Sequence, residues 1–157
     1  MKRQSPFLFW LILFLTVVAT VSWGWYLFIR QPAPPPKNLL KVGQCEFEVE
    51  VARTPEQKRQ GLSGRPSLGK FNAMLFVYDQ PAKHLFWMKD MQFPLDFVWI
   101  QQGRVVDLSQ NIPPPKDNNG QIARVSPAEP ADWVLEINAG MIKECQIKVG
   151  DPVDFSL

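Results

Sequence analysis

The polar residues best suited to chemistry lie close together in the middle of the chain. His84, Trp87, Lys89, Asp90 and Asp96 fall within thirteen positions. Asp96 is the most informative, because its neighbours in the segment LDFVWI are all apolar. A carboxylate in such a segment must be paired, hydrogen-bonded or protonated. Such groups occur at functional sites and also as structural braces that hold a turn through backbone N–H groups. Both interpretations of Asp96 stay open from the sequence.

A pair of carboxylates suggests one catalytic alternative. Asp90 and Asp96 could serve as the acid and base of a glycoside hydrolase, which we expect only if their carboxyl groups lie within about 10 Å. Other catalytic templates are missing from the sequence. The chain has one histidine, no serine in a nucleophile elbow and no glycine-rich phosphate loop.

Sulfur and imidazole side chains suggest a second alternative. Met74, His84, Met88 and Met91 are soft ligands that could bind Cu(I) outside the cytoplasm. No C-x-x-C or H-E-x-x-H motif occurs, so we expect no structural zinc. The main hypothesis therefore includes no metal and no cofactor.

The two cysteines, Cys45 and Cys145, allow one disulfide. An even cysteine count fits such a bond if the domain lies in an oxidising compartment. The alternative is a pair of small, buried and reduced side chains.

The N-terminal region predicts a membrane anchor. Residues 7–29 contain no charge, and as a helix they would be ~35 Å long, enough to cross a hydrocarbon core of ~30 Å. Trp10, Trp23, Trp25 and Tyr26 lie near its ends, where aromatic belts form. A cleaved signal peptide, with a secreted domain, is the alternative.

Lys2 and Arg3 favour an N-terminus in the cytoplasm. The predicted organisation is a cytoplasmic tail (1–6), a single transmembrane anchor (7–29), a Pro-rich linker (30–37) and a periplasmic or extracellular domain (38–157). The chain has 17 basic and 15 acidic residues, and setting aside Lys2, Arg3 and Arg30 leaves 14 basic against 15 acidic. Without a basic run, we expect no nucleic-acid partner.

The domain is predicted to be mainly β (α+β): a small β-barrel or rolled sheet with one or two short helices. Apolar residues alternate with glutamates over Cys45–Arg53, which indicates a strand with one wet face. Thr54 to Gln57 has the residues of a helix start with a capping box. Asn111–Pro130 is predicted to be an irregular loop, and Gly140–Cys145 one or two helical turns. The other predicted strands are Ala73–Val77, Leu85–Met88, Leu95–Gln101, Arg104–Leu108, Trp133–Ile137 and Val153–Leu157.

Several phrases of the sequence resemble a known family. They are VEVARTPEQKRQGLSGRPSL, AMLFVYDQPAKHLFWMKDMQFPLDFVWIQQGRVVDL, WVLEINAG and KVGD. In order and spacing they resemble the DUF192 family of small prokaryotic domains, over roughly Leu39 to Leu157. The resemblance implies a compact β-rich fold and leaves the activity open, because this family has no assigned one. The chain departs from the family pattern at Ser63, usually methionine, and lacks the cysteine pair of the proline-rich loop.

The sequence thus predicts a membrane-anchored, non-catalytic binding or accessory module of the cell envelope. A pocket near Trp87, Lys89 and Asp96 would bind a small molecule, a glycan or a protein segment. The hydrolase using Asp90 and Asp96, and the Cu(I)-binding protein, are the alternatives.

Overall fold

The computed structural model describes residues 6–29, 38–116 and 121–156, and the chain divides into two compact units, Met1–Pro36 and Lys37–Leu157. In the first unit, helix α1 spans Pro6–Ile29. Within the described residues, no helix combines the length and apolarity required of a membrane span. The structure therefore does not show the predicted transmembrane segment, which stays a prediction. Residues 1–5 of the predicted tail and the predicted linker lie outside the described residues.

The second unit is built on a curled seven-stranded sheet. Its strand order is β6-β5-β8-β3-β2-β1-β9, and only the β2–β3 pair is parallel. A second, two-stranded sheet pairs β4 with β7, and two short helices, α2 and α3, lie in the connections. The elements are β1 (Leu39–Val42), β2 (Cys45–Ala52), α2 (Pro55–Gln60), β3 (Asn72–Ala82), β4 (Phe86–Trp87), β5 (Leu95–Gln101), β6 (Arg104–Ile112), β7 (Arg124–Val125), β8 (Ala131–Asn138), α3 (Met141–Glu144) and β9 (Val153–Ser156).

The two edge strands of the large sheet meet at one end. Arg104 of β6 forms an isolated bridge with Pro152, just before β9. The Val105 N–H donates to the Asp151 carbonyl (3.0 Å), and the Val153 N–H donates to the Gly103 carbonyl (2.8 Å). The sheet is thus rolled into a half-barrel, and the predicted mainly β, rolled architecture is confirmed.

Alternate residues of β8 contribute to two separate apolar clusters. Leu135 and Ile137 belong to one cluster, and Val134 belongs to the other. Successive side chains of a strand point to opposite faces, so Glu136 shares the side of Val134. This alternation brings a carboxyl group to the cluster that also contains Phe76, Met91 and Leu95.

The start of α2 is set by local sequence, as predicted. The Thr54 hydroxyl accepts a hydrogen bond from the Gln57 N–H (3.3 Å), and the Gln57 side-chain oxygen accepts from the Thr54 N–H (3.0 Å). Pro55 occupies the first turn, and Gly61, at φ 50°, ends the helix. These signals fix the helix that carries Lys58.

A disulfide joins Cys45 to Cys145, with an S–S distance of 2.07 Å. Next to it, the Gln44 N–H donates to the Cys145 carbonyl (2.8 Å). Gly43 has φ +60°, and a Cβ there would lie 2.4 Å from the same carbonyl oxygen. Only glycine therefore fits this close approach of the β1–β2 turn to the C-terminal segment.

Two predicted elements differ most from the structure, and other strand ends shift by up to four residues, as in β6, which continues past Leu108 to Ile112. The predicted strand Ala73–Val77 continues to Ala82, because the chain resumes pairing with β8 at Ala131 after an irregularity. The predicted irregular loop Asn111–Pro130 contains β7, which pairs with β4. Residues 117–120 of that loop lie outside the described residues. Both differences come from pairing with distant strands, which local sequence signals do not report.

Candidate functional site

A small cavity lies beside α2 and β4. Its volume is about 110 Å³, and its walls come from residues 58–63, from residues 85–87 and from side chains of β3 and β8. Phe76, Leu62, Met91 and Leu95 give it an apolar interior. The polar side chains that reach it are Lys58, Arg59, Gln60, Ser63, Tyr78 and Glu136.

Glu136 is the carboxylic acid of this cavity. It lies in β8 opposite Met74 of β3 and Phe97 of β5, and only 6% of its surface is exposed. None of the described residues forms a hydrogen bond with its carboxyl group that would offset this burial. Burial raises the pKa of Glu136 to about 8. At neutral pH the carboxyl group is therefore mostly protonated, so it can donate a hydrogen bond.

Tyr78 forms one wall of the cavity and is held between two side chains. The Lys58 ammonium lies 4.2 Å from the centre of the Tyr78 ring. The His84 ring stacks on Tyr78 with centroids 3.6 Å apart and an interplanar angle of 16°. Burial, with a smaller contribution from the charge of Glu136, raises the pKa of Tyr78 to about 12. The phenol is therefore neutral and keeps its proton.

His84 supports the wall rather than lining the cavity. Its Nε2 is buried and has no hydrogen-bond partner among the described residues. Burial lowers the pKa of His84, and the charge of Lys58 acts in the same direction, while backbone groups of Gln80 and Ala131 oppose this. His84 thus contacts Tyr78, and its ligand-binding role stays a prediction.

The outer edge of the cavity is apolar and exposed. Leu85 and Trp87, which line it, are 63% and 51% exposed, whereas Phe86 and Met88 point inward and are buried. Trp87 and Met88 therefore face opposite sides, as neighbours along an extended chain do. Trp87 is the one predicted ligand-binding residue that lines this cavity.

Lys89 and Asp90 contribute backbone rather than side-chain groups to this region. The Ser63 hydroxyl donates to the Lys89 carbonyl (3.0 Å), and the Gly64 N–H donates to the Asp90 carbonyl (2.9 Å). Both side chains are exposed and do not line the cavity. These bonds fasten the loop after β4 to the segment after α2.

Asp96 is held as a structural brace and does not line the Glu136 cavity, and its ligand-binding role stays a prediction. Its side chain is fully buried. One carboxylate oxygen accepts from the Asn111 N–H (2.7 Å), and the other accepts from the Ile142 N–H (2.9 Å). Both oxygens are thus occupied by backbone donors, from the end of β6 and from α3. The carboxylate therefore links β5 to the end of β6 and to α3.

The geometry favours neither the hydrolase alternative nor the Cu(I)-binding alternative. A hydrolase pair of Asp90 and Asp96 is not supported, because Asp90 is exposed and Asp96 is enclosed by backbone donors.

The four proposed copper ligands are not gathered in a common cavity of the described structure. Met88 is enclosed in the core, Met91 lines the Glu136 cavity and Met74 lines a different groove. No cluster of His, Cys, Asp and Glu that could hold a metal occurs within the described ranges.

Sequence reasoning missed Glu136, Tyr78 and Lys58. A signal for Glu136 was present, because it lies in the apolar strand segment WVLEI just as Asp96 lies in LDFVWI. The two carboxyl groups look equivalent along the chain. Only their surroundings differ, because Asp96 accepts hydrogen bonds from two backbone N–H groups whereas Glu136 lines a cavity.

Comparison with known proteins gives relatives but no activity. The DUF192 family, described as "Uncharacterized ACR", matches residues 39–155. None of the curated proteins matches the chain. A crystal structure from Sinorhizobium meliloti 1021, provisionally described as a transcription regulator, is similar with a TM-score of 0.68 and 27% identity, over 80% of this chain and 98% of that one. A protein of unknown function from Novosphingobium aromaticivorans DSM 12444 gives a TM-score of 0.66 and 29% identity, over 79% and 92% of the two chains.

Proposed function

Because this chain belongs to the DUF192 family, which is described as uncharacterised, we propose a function from the geometry of the chain itself. In this proposal the protein is a non-catalytic module of the cell envelope that binds a small ligand in the Glu136 cavity. The domain is held outside the cytoplasm by the N-terminal helix.

The observation that carries this proposal is the state of Glu136. Glu136 is only 6% exposed, its carboxyl group has no hydrogen bond with the described residues, and the residue lines a cavity. Burying a polar group without a hydrogen bond costs free energy, about 1–3 kcal/mol in proteins. A ligand that hydrogen-bonds to this group would recover that cost. Buried polar groups without partners are uncommon elsewhere in folded proteins.

Binding is favoured over catalysis by what accompanies Glu136. It is the only acidic residue among those that line the cavity. A protonated carboxyl could act as a general acid, but glycoside hydrolysis also needs a second carboxylate. No serine, cysteine and histidine set lines the cavity in the described part of the chain.

The compartment is proposed from three features. The Cys45–Cys145 disulfide suits an oxidising compartment. Helix α1 contains the uncharged residues 7–29, and Trp10, Trp23 and Trp25 are exposed along it. Lys2 and Arg3 favour an N-in orientation. An alkaline phosphatase fused to the C-terminus in a bacterial host should be active, and an inactive fusion would contradict this orientation.

Nucleic acid is not proposed as a partner. The provisional description of the Sinorhizobium protein applies to that protein. In this chain, the residues after Arg30 carry 14 basic and 15 acidic side chains. A DNA-binding surface needs a concentrated positive field.

The proposal is tested by a fragment screen on the full chain in detergent micelles, followed by NMR. Fragments that bind should shift the amide signals of Gly61, Tyr78 and Trp87. Glu136→Gln should weaken binding, whereas Glu46→Gln, at an exposed position of β2, should not. If no fragment perturbs the cavity signals, the binding function is wrong.

A further inference from the structure

We propose that the ligand of the Glu136 cavity is a small carboxylate with an apolar body. The inference rests on the proposed binding function and names the chemical class of the ligand. The groups at the cavity supply three kinds of hydrogen-bond donor together with positive charge, and the same cavity supplies apolar walls.

The donors come from three different elements. Glu136 of β8 presents a protonated carboxyl group at neutral pH, and Tyr78 of β3 presents a neutral phenol. Glu136 and Tyr78 line the same cavity, so one bound ligand can reach both groups. Lys58 of α2 adds an ammonium group, positioned over the Tyr78 ring at 4.2 Å from its centre. A ligand that satisfies these groups must be rich in acceptors, as a carboxylate is.

The charged side chains at the cavity would also attract the negative charge of a carboxylate ligand. Lys58 and Arg59 both line it. Glu136, the only acidic lining residue, carries little charge at neutral pH, because burial has raised its pKa to about 8. An anion in the cavity therefore meets little repulsion from Glu136. A cationic ligand would meet two cations and no compensating carboxylate.

The size and walls of the cavity limit the ligand. A volume of about 110 Å³ has room for roughly seven to ten water-sized groups. Phe76, Leu62 and Leu95 would contact an aliphatic body, and Leu85 and Trp87 continue the apolar surface to the outside. A short branched carboxylate has suitable dimensions. The apolar exit also allows the carboxylate to be the C-terminus of a longer peptide.

The test compares matched probes by calorimetry, using the full chain in detergent micelles. Isovalerate and isovaleramide have the same shape and differ in charge. N-acetylvaline and N-acetylvaline amide make the same comparison for a peptide terminus. At pH 7 we expect each carboxylate to bind at least tenfold more tightly than its amide. The tighter of the two carboxylates identifies the source, a free acid or a peptide terminus.

The pH dependence gives a second measurement, which needs no substitution. Because the binding-competent Glu136 is the protonated form, with a pKa of about 8, carboxylate affinity should fall about tenfold between pH 7 and pH 9. The other titratable or charged groups facing Glu136 are Tyr78, Lys58 and Arg59, with His84 behind Tyr78. The pKa of Tyr78 is about 12 and that of His84 is lowered below its usual value, so neither titrates between pH 7 and pH 9.

Variants separate the possible outcomes. Glu136→Gln should abolish the pH dependence of binding, and Lys58→Met should weaken the carboxylates more than the amides. Glu46→Gln serves as the control and should change neither. Amides that bind as tightly as carboxylates would overturn the carboxylate inference and leave the binding function intact. If neither carboxylate binds, the inference is likewise wrong, and the NMR screen decides separately whether the cavity binds other fragments.

Discussion

The rings of Tyr78 and His84 are stacked, with centroids 3.6 Å apart and planes 16° from parallel. This stack fixes the wall of the Glu136 cavity from behind, while the Lys58 ammonium lies over the same tyrosine. The chain has one histidine, so its titration is an unambiguous probe of this region.

The first prediction concerns that histidine. Its pKa is lowered chiefly by burial and further by the charge of Lys58, so NMR titration of the imidazole signals should give a value below 6.5. Replacing Lys58 with methionine removes one of the two causes. The pKa of His84 should then rise towards its usual value. An unchanged pKa in Lys58→Met would show that the lysine does not occupy its place over Tyr78, and Lys143→Met, on α3, is the control.

The second prediction concerns stability and pH at Glu136. Folding raises the pKa of this acid from 4.5 to about 8. Its stabilising contribution is therefore complete below pH 4.5 and is lost as the pH rises to about 8. At pH 9 the protein should be less stable than at pH 5, by about 4 kcal/mol from this group.

Glu136→Gln keeps the shape of the side chain and removes its titration. Denaturant unfolding should find the variant more stable than the wild type at pH 9 and similar to it at pH 5. The difference between the two proteins cancels contributions from other titrating groups. Parallel pH profiles for the two would contradict a raised pKa of Glu136.

The third prediction concerns Asp96. Both oxygens of its carboxylate accept backbone N–H groups, so the amide of Asp96→Asn would place an N–H₂ group against one of these donors. We expect a loss of about 2–4 kcal/mol in the free energy of unfolding, without a direct effect on ligand binding. Asp90→Asn is the matched control, because Asp90 is exposed and has φ +57°, which asparagine adopts readily. Equal stability of the two variants would refute the brace.

The fourth prediction concerns the disulfide. The Cys45–Cys145 bond closes a loop with a sequence separation of 100. By the chain-entropy estimate, it stabilises the domain by about 4–5 kcal/mol. Thermal unfolding of the Cys45→Ser/Cys145→Ser variant should show a correspondingly lower midpoint, and a reducing agent should lower the wild-type midpoint but not that of the variant. No response of the wild type to reduction would contradict this contribution.

Much of the fold follows from local sequence. The alternation over Cys45 to Ala52, the capping box at Thr54 and the strand Leu95–Gln101 were all predicted and are confirmed. Each depends on hydrogen bonds or side-chain alternation within a few residues. The sequence also limited the kinds of catalytic site to consider, because the chain has a single histidine and lacks the common catalytic motifs.

The site depends on contacts between residues that are distant along the chain. In sequence, Asp96 and Glu136 are alike, as each is one carboxyl group in an apolar strand. Tertiary structure brings two backbone N–H groups to Asp96, whereas it leaves Glu136 beside a cavity among apolar side chains. The sequence alone placed Asp96 in an apolar strand, and it held the same signal for Glu136. Only the tertiary structure decided which one is a brace and which one lines a cavity, because partners and solvation set the behaviour of a buried carboxyl group.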